Sequence, residues 1–357
     1  RGPAALDEIV VTAEHRAANI QDTPIAITAV SGDTLEKRHT ATFEAIASSL
    51  PNVQFSEASG VARIFIRGVG LDSLSPGSDP RVAVYTDQIY NARTGAAFQS
   101  LFDIDRIEVL NGPQGTLYGR NATAGAINIL SRDPGDTLNG YGTLTIGNYD
   151  LVQTEGAIGG PLSDTISARI AFQTVDRAGF GKHIETGADI DDAHRRAVRA
   201  KLRIAPSEDF TIALEADYSR KDDRSGAFHF LKNAPGYQLF GVTRGFVAPS
   251  NVRDYAGNGP SAVVESYGGG AIVTGNLGDY VLTSVTGFRH FDSNFFRSGG
   301  DQTTSNYLPA RFTEDSDQLT QELRLAASFG PVDALIGGYV FHERNKAVTR
   351  AQLNGAY

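Results

Sequence analysis

The chain has 357 residues, enough for two domains, and a net charge of −9, which offers no basic face to nucleic acid. It contains no Cys, so disulfides, thiolate nucleophiles and Cys-ligated zinc are excluded; Met and Trp are absent as well. No apolar run reaches the ~18 residues a membrane-spanning helix needs, and the 39 glycines suit hairpin-rich β structure. The sequence opens on Arg1 without a leader pattern, the expectation for a processed or trimmed chain.

Residues 1–23 are polar except for a short β-branched run, Ile9, Val10 and Val11, which favours an extended strand. Such a strand is either the first strand of the domain or an open edge that a partner's sheet captures. Residues 24–31 alternate and predict a strand; Ser31 or Asp33 then caps a short helix through Arg38. Thr42 caps a second helix in which Phe43, Ile46, Ala47 and Leu50 recur at helical spacing before Pro51 stops it. Strands are expected near 61–67, 81–86 and 104–110. Helices and strands mix without a βαβ rhythm, which favours an α+β domain. The stretch 110–129 places Gly112, Gly115, Gly119 and Gly125 among small and polar residues before Ala126, Ile127 and Ile129 resume an apolar run. Glycine supplies positive φ and close backbone approach, so this stretch predicts a folded-back loop feeding a strand.

From 139 onward the period is two. Strands are predicted at 139–147, 151–159, 164–175, 196–204, 210–219, 263–275, 279–291, 318–328 and 333–344. In 196–204, Val198, Ala200, Leu202 and Ile204 oppose Arg199, Lys201 and Arg203. Repeated alternation of this kind fits a transmembrane barrel with a polar lumen, and also a soluble sandwich that turns the charged face to water. Connection lengths favour the barrel. Short turns at 160–164, 205–209, 276–279 and 329–331 alternate with long polar connections at 176–194, 220–262 and 292–317, whereas a sandwich has no reason to sort its loops by end. Nine is an odd number for a bacterial barrel, so the expectation is an N-terminal part of a longer protein.

Catalytic patterns are missing: no Gly-x-Ser-x-Gly elbow, no phosphate-binding loop and no His-Glu-x-x-His occurs. His183 and His194 share a loop with Glu185, Asp189, Asp191 and Asp192, a set read first as a solvated loop and second as a hard-cation site. No metal or cofactor is expected. Asn121-Ala122-Thr123 matches a glycosylation triplet by chance.

The block Gly-Pro-Gln-Gly-Thr-Leu-Tyr-Gly (112–119) with Gly-Ala-Ile-Asn-Ile (125–129), the run 64–70 and the run 82–87 together resemble the plug domain of TonB-dependent outer-membrane receptors. The resemblance implies an α+β plug inside a transmembrane antiparallel β-barrel of about 22 strands, of which about nine lie in this chain. It divides the chain into 1–23, an N-terminal segment; 24–135, the plug; and 136–357, the first part of the barrel. Asp7, Glu8, Ile9, Val10, Val11, Thr12 and Ala13 would form the TonB box, the periplasmic coupling peptide. Apical plug loops at 56–62, 70–80 and 90–98 would offer Arg63, Asp72, Ser73, Asp79, Arg81, Tyr90, Asn91 and Arg93 to substrate. Gly112, Gly115, Gly119, Arg120 and Gly125 would be structural, with Glu108 and Arg120 bridging to the barrel wall. The implied function is energised import of a scarce substrate, a ferric siderophore first, with carbohydrate import or signalling as alternatives and a soluble β-rich enzyme or adhesin as a remote one. The implied partners are TonB with its inner-membrane complex, the small-molecule substrate, and outer-membrane lipid and lipopolysaccharide.

Overall fold

A computed structural model describes residues 10–11, 18–19, 25–37, 43–48, 50–58, 61–73, 75–98, 101–226, 229, 232, 246–257, 259–297, 309–330 and 332–352. The chain divides into two compact units. The first holds residues 1–56, 62–73 and 79–133; the second holds 57–61, 74–78 and 134–357.

The first unit is α+β. Strands β1 (Val10–Val11) and β2 (Ala18–Asn19) form a separate antiparallel pair, and β3 (Ile27–Ser31) follows. Helix α1 (Gly32–Lys37) is entered through Ser31, whose Oγ accepts the Thr34 amide at 3.3 Å, as a cap should. Helix α2 (Phe43–Ala47) buries Phe43, Ile46 and Ala47, the face expected from the sequence. The expected capping residue Thr42 and helix end Arg38 lie outside the described residues. Then come β4 (Val53–Ala58), β5 (Val61–Ile66), β6 (Val69–Gly70), β7 (Val82–Thr86), β8 (Ile89–Tyr90), α3 (Thr94–Ala97), β9 (Ile104–Asn111), α4 (Gly115–Tyr118) and β10 (Gly125–Ser131).

Five of these strands make one sheet in the order β3-β9-β10-β7-β8, in which β10 runs parallel to β7 and antiparallel to β9. One face of the sheet is dry: Val82, Val84, Ile107, Val109, Ile127 and Ile129 pack with Phe43, Ile46, Ile64 and Ile66. Phe43, Phe55 and Phe98 close this core with ring centroids 4.2–5.3 Å apart. The opposite face is polar yet buried. Glu108, 0% exposed, accepts from Arg106 Nε at 2.8 Å and Asn128 Nδ2 at 3.2 Å; Asn128 reaches the Tyr118 hydroxyl at 2.9 Å, and the Tyr85 hydroxyl donates to the Tyr118 carbonyl at 2.7 Å. A buried carboxylate without such donors would be costly.

The glycine block folds back as expected, with one correction. Gly125 has φ +154° and lies so close to β9 that a Cβ there would stand 2.3 Å from the Leu110 carbonyl oxygen; Gly119 ends α4 at φ +64°. Gly112 also has positive φ, but Gly115 does not: it opens the single turn of α4, and a Cβ there would meet open space.

The second unit is a nine-stranded antiparallel sheet in sequence order: β11 (Asn139–Gly147), β12 (Leu151–Pro161), β13 (Ile166–Arg177), β16 (Ala193–Ser207), β17 (Phe210–Asp223), β18 (Ser261–Leu277), β19 (Tyr280–Arg297), β20 (Ala310–Phe329) and β21 (Val332–Ala351). A small hairpin, β14 (Gly181–Lys182) with β15 (Asp189–Ile190), rises from the connection after β13. All nine expected strands are present. Several run further than their alternation predicted: β19 extends to Arg297 and β20 starts at Ala310, so most of the expected 292–317 connection is strand. The polar run Asp315–Gln318 reads as loop by composition, yet a full ladder to β19 and β21 satisfies its backbone.

Candidate functional site

The sheet has inverted polarity. Ile158, Ile170, Phe172, Leu319, Leu323, Ile336 and Val340 are each 47–71% exposed. On β13, β16 and β20 the residues of the other face, among them Ser167, Arg169, Gln173, Arg199, Lys201, Ser316, Gln318 and Arg324, are buried. That face is a hydrogen-bonded polar network. Arg289 pairs with Glu215 at 3.3 Å and with Asp217, and Glu155 accepts from Tyr141 at 2.7 Å and Gln173 at 3.0 Å. Leaving a large aliphatic side chain in water forgoes about 1.5–3 kcal/mol each, so an exposed face of this kind requires an apolar surrounding. A soluble sandwich is thereby set aside, and no helix among the described residues is long and apolar enough to cross a membrane.

At the N-terminus, Val10 pairs with Asn19 and Val11 with Ala18, and Val11 is fully buried. The expected open edge is therefore occupied by a short partner of the same chain. Asp7, Glu8, Ile9, Thr12 and Ala13 lie outside the described residues.

The plug-loop candidates separate by burial. Arg63 pairs with Asp72 at 2.9 Å, and Asp72 is largely exposed. Asp79 sits between two guanidiniums, Arg120 at 3.0 Å and Arg93 at 3.5 Å. Arg81 is exposed, and Ser73 is half-buried beside Asp72. Tyr90 and Asn91 are buried. The Tyr90 hydroxyl accepts from Asn121 Nδ2 at 2.8 Å, while Asn91 Nδ2 donates to Thr86 Oγ1 at 3.1 Å. Burial pushes the Tyr90 hydroxyl above the ordinary phenol value, against the smaller opposing effect of Asn121 and the nearby arginines. Arg93 is 8% exposed. Asp72, Asp79 and Arg81 thus present polar groups outward, while Tyr90, Asn91 and Arg93 hold the loops in shape. Glu108 and Arg120, expected to bridge to the wall, have ion partners within their own unit, Arg106 and Asp79.

The second unit shows a charge cluster that sequence reasoning missed. Lys221 Nζ lies 2.7 Å from Glu57 and 3.8 Å from Asp223, and Arg195 binds the same Asp223 oxygen at 2.9 Å. Burial opposes ionisation of Glu57, but the charge and hydrogen bond of Lys221, with Arg195 beyond, hold the carboxyl below its ordinary range. A second tie joins Glu314, which accepts from the Gly77 amide at 3.0 Å and from Asn345 at 2.9 Å. Partners 164 and 237 positions apart leave no local signal to find.

The loop once weighed as a cation site is internally paired. His183 Nε2 meets the Gly257 carbonyl at 2.6 Å, Asp189 pairs with Lys182, Asp191 with His229 at 3.1 Å, and Asp192 accepts the Arg224 amide. No group of three metal-ligating side chains occurs among the described residues.

Residues 19–126 match the family model of the TonB-dependent receptor plug domain. The chain is similar to the pesticin receptor of Yersinia pestis, 28% identical over 56% of this chain and 30% of that protein. It is also similar to an iron-regulated outer membrane virulence protein of Vibrio cholerae, 30% identical over 60% of this chain and 34% of that protein. Its fold is shared with the ferric yersiniabactin uptake receptor of Yersinia pestis at TM-score 0.78 and 21% identity, covering 92% of this chain and 50% of the other. The siderophore receptor of Acinetobacter baumannii gives TM-score 0.75 at 17% identity, over 99% of this chain and 51% of the other. The chain spans about a third of the length of these curated relatives and half that of the solved receptors. Residues 19–126 are thus a plug domain of the TonB-dependent receptor type, and the inverted nine-stranded sheet that follows shares the fold of outer-membrane receptors of that type.

Proposed function

We propose that this receptor imports a ferric siderophore or similar iron chelate across the outer membrane, driven by energy relayed through TonB. The observation that supports this reading most is a plug-family domain joined directly to a sheet whose exposed face is apolar and whose buried face is polar. The names of its relatives, receptors for pesticin and for iron chelates, favour an iron substrate over a carbohydrate. The role calls for binding and movement rather than covalent chemistry, so we read the protein as non-enzymatic.

The outer membrane holds neither ATP nor an ion gradient, so a plug must be drawn aside by something anchored elsewhere. In this reading residues 7–13 are the handle. An extended peptide that adds a strand to a partner's sheet bears tension through main-chain hydrogen bonds. Val10 and Val11 are paired with Asn19 and Ala18 along one edge, so a strand from TonB either takes the other edge or displaces β2. Arg63, Asp72, Ser73, Asp79 and Arg81 are the plug residues we assign to substrate contact, with Tyr90, Asn91 and Arg93 acting as their support.

Uptake of radiolabelled ferric siderophores by cells lacking the gene, complemented with wild type or Val10→Pro, tests the proposal. Proline removes the Val10 amide, a donor that strand addition to a partner sheet would use. Val10→Pro is expected to bind substrate at the surface as wild type does and to lose uptake; transport at the wild-type rate would overturn the coupling assignment.

A further inference from the structure

Four side chains from three separate connections meet at the long-loop end of the sheet. Tyr149 stands in the turn between β11 and β12, Arg177 ends β13, Phe180 follows it, and Arg253 comes from the connection into β18. The rings of Tyr149 and Phe180 meet edge to face, 5.0 Å apart at 89°. The Arg177 guanidinium lies 3.6 Å over the Phe180 ring, and that of Arg253 lies 6.0 Å from it. Arg253 Nη1 also donates to the Tyr149 hydroxyl at 2.7 Å. The backbone fastens the group. The Ala178 amide donates to the Tyr149 carbonyl at 2.8 Å, and Gly181 approaches Arg253 so closely that a Cβ would stand 1.9 Å from its carbonyl oxygen.

Three features of this cluster point to a ligand. Tyr149 has φ +60° and Asp150 φ +53°. The left-handed conformation costs a residue with a Cβ about 1–2 kcal/mol, and glycine or asparagine would make the same turn more readily. A bulky aromatic held there despite the strain marks a position where the side chain is needed. Both rings are open, Tyr149 at 42% and Phe180 at 43% exposure. Finally, neither guanidinium is in salt-bridge contact with a carboxylate among the described residues, although Asp191, Asp192 and Asp223 lie within charge range of Arg177. Arg177 donates to the carbonyls of Ala178 and Asp191, and Arg253 to the Tyr149 phenol. Nearby Arg195, Arg196, Arg220 and Arg224 each hold a carboxylate. Strand alternation also puts Arg177 on the face of Arg169 and Gln173, the polar one.

We propose that Tyr149, Arg177, Phe180 and Arg253 form a subsite at the outer end of the wall for an anionic ligand that carries aromatic rings, the chemistry of a ferric catecholate. This rests on the importer reading and narrows its substrate class. The open rings stack on an aromatic ligand, and guanidiniums already oriented against those rings offer N–H donors to its oxygens.

The test measures binding to the purified full-length receptor in detergent. Its probes are a ferric tris-catecholate, anionic and aromatic, and a ferric tris-hydroxamate, uncharged and non-aromatic. Wild type is expected to prefer the catecholate. Arg253→Gln and Tyr149→Gly should each weaken catecholate binding by about tenfold, the loss of one cation–aromatic contact. Tyr149→Gly should leave thermal stability equal or higher, because glycine relieves the strained turn, and the exposed Arg253 provides a second variant that does not disturb folding. No catecholate binding by wild type, equal binding of both chelates, or catecholate binding unchanged in either variant would overturn the subsite. Uptake that depends on Val10, measured separately, reports on the importer reading alone, so the two failures are distinguishable.

Discussion

The two units obey opposite rules with the same alphabet. In the plug sheet, Ile107 and Ile127 point into a dry core and are 0% exposed; in the nine-stranded sheet, Ile170 and Ile336 point outward at 52% and 71%. Both sheets alternate with period two. What differs is where the apolar face points, into a core or toward the surroundings, so alternation reports that a strand has two unlike sides and does not say which side is covered.

The contrast can be broken by equal truncations. Ile127→Ala empties part of a closed core and should cost about 2–5 kcal/mol, whereas Leu323→Ala on the exposed face of β20 should cost far less. Denaturant titration of the refolded receptor in micelles compares the two, and equal losses would contradict the inverted sheet. Leu323→Arg sharpens the point, since a cation on the lipid side near mid-depth costs about 2–4 kcal/mol. An unaffected Leu323→Arg would mean that face lies in water. A smaller effect is expected within the plug: Asp87, 7% exposed, accepts from the Ser131 amide at 2.9 Å and the Ser131 hydroxyl at 2.6 Å. Asp87→Ala strands both donors and should cost about 1–3 kcal/mol in the same assay.

The smallest effect is a pH dependence in the second unit. The carboxyl of Glu57 is held below its ordinary value of 4.5, so its contribution is fully present above that pH and disappears as pH falls through the lower folded-state value. Glu57→Gln should lower stability by a constant small amount across the neutral range and flatten the profile below pH 4.5, where the wild type has already lost this contribution, as read by thermal melts from neutral to acid pH.

The nine wall strands were legible because their alternation is local. In the plug, the apolar spacing of Phe43, Ile46 and Ala47 and the run 82–86 announced themselves for the same reason. β4 leaves little trace: in Val53-Gln54-Phe55-Ser56-Glu57-Ala58 only Val53 and Phe55 alternate before Glu57 breaks the pattern, and pairing with β5 fixes the strand. The stretches 292–297 of β19 and 310–317 of β20 read as loop by composition, whereas ladder pairing across neighbouring strands decides their conformation. Of the site, only residue types in the plug loops could be named. That Tyr90 faces inward while Asp72 faces out depends on Asn121, and that Tyr149 meets Arg253 depends on a contact 104 positions long. Neither pairing leaves a periodic trace.

Strands β20 and β21 each hold 20 residues. At ~3.3 Å per residue and a tilt near 40°, such a strand climbs roughly 50 Å, while the apolar band of an outer-membrane wall is only ~25 Å tall. About half of each strand therefore rises clear of the bilayer as a parapet bathed in water. A visitor to the cell surface meets this protein rampart well before it reaches any lipid, and the parapet's residues are at liberty to change without asking anything of the membrane below.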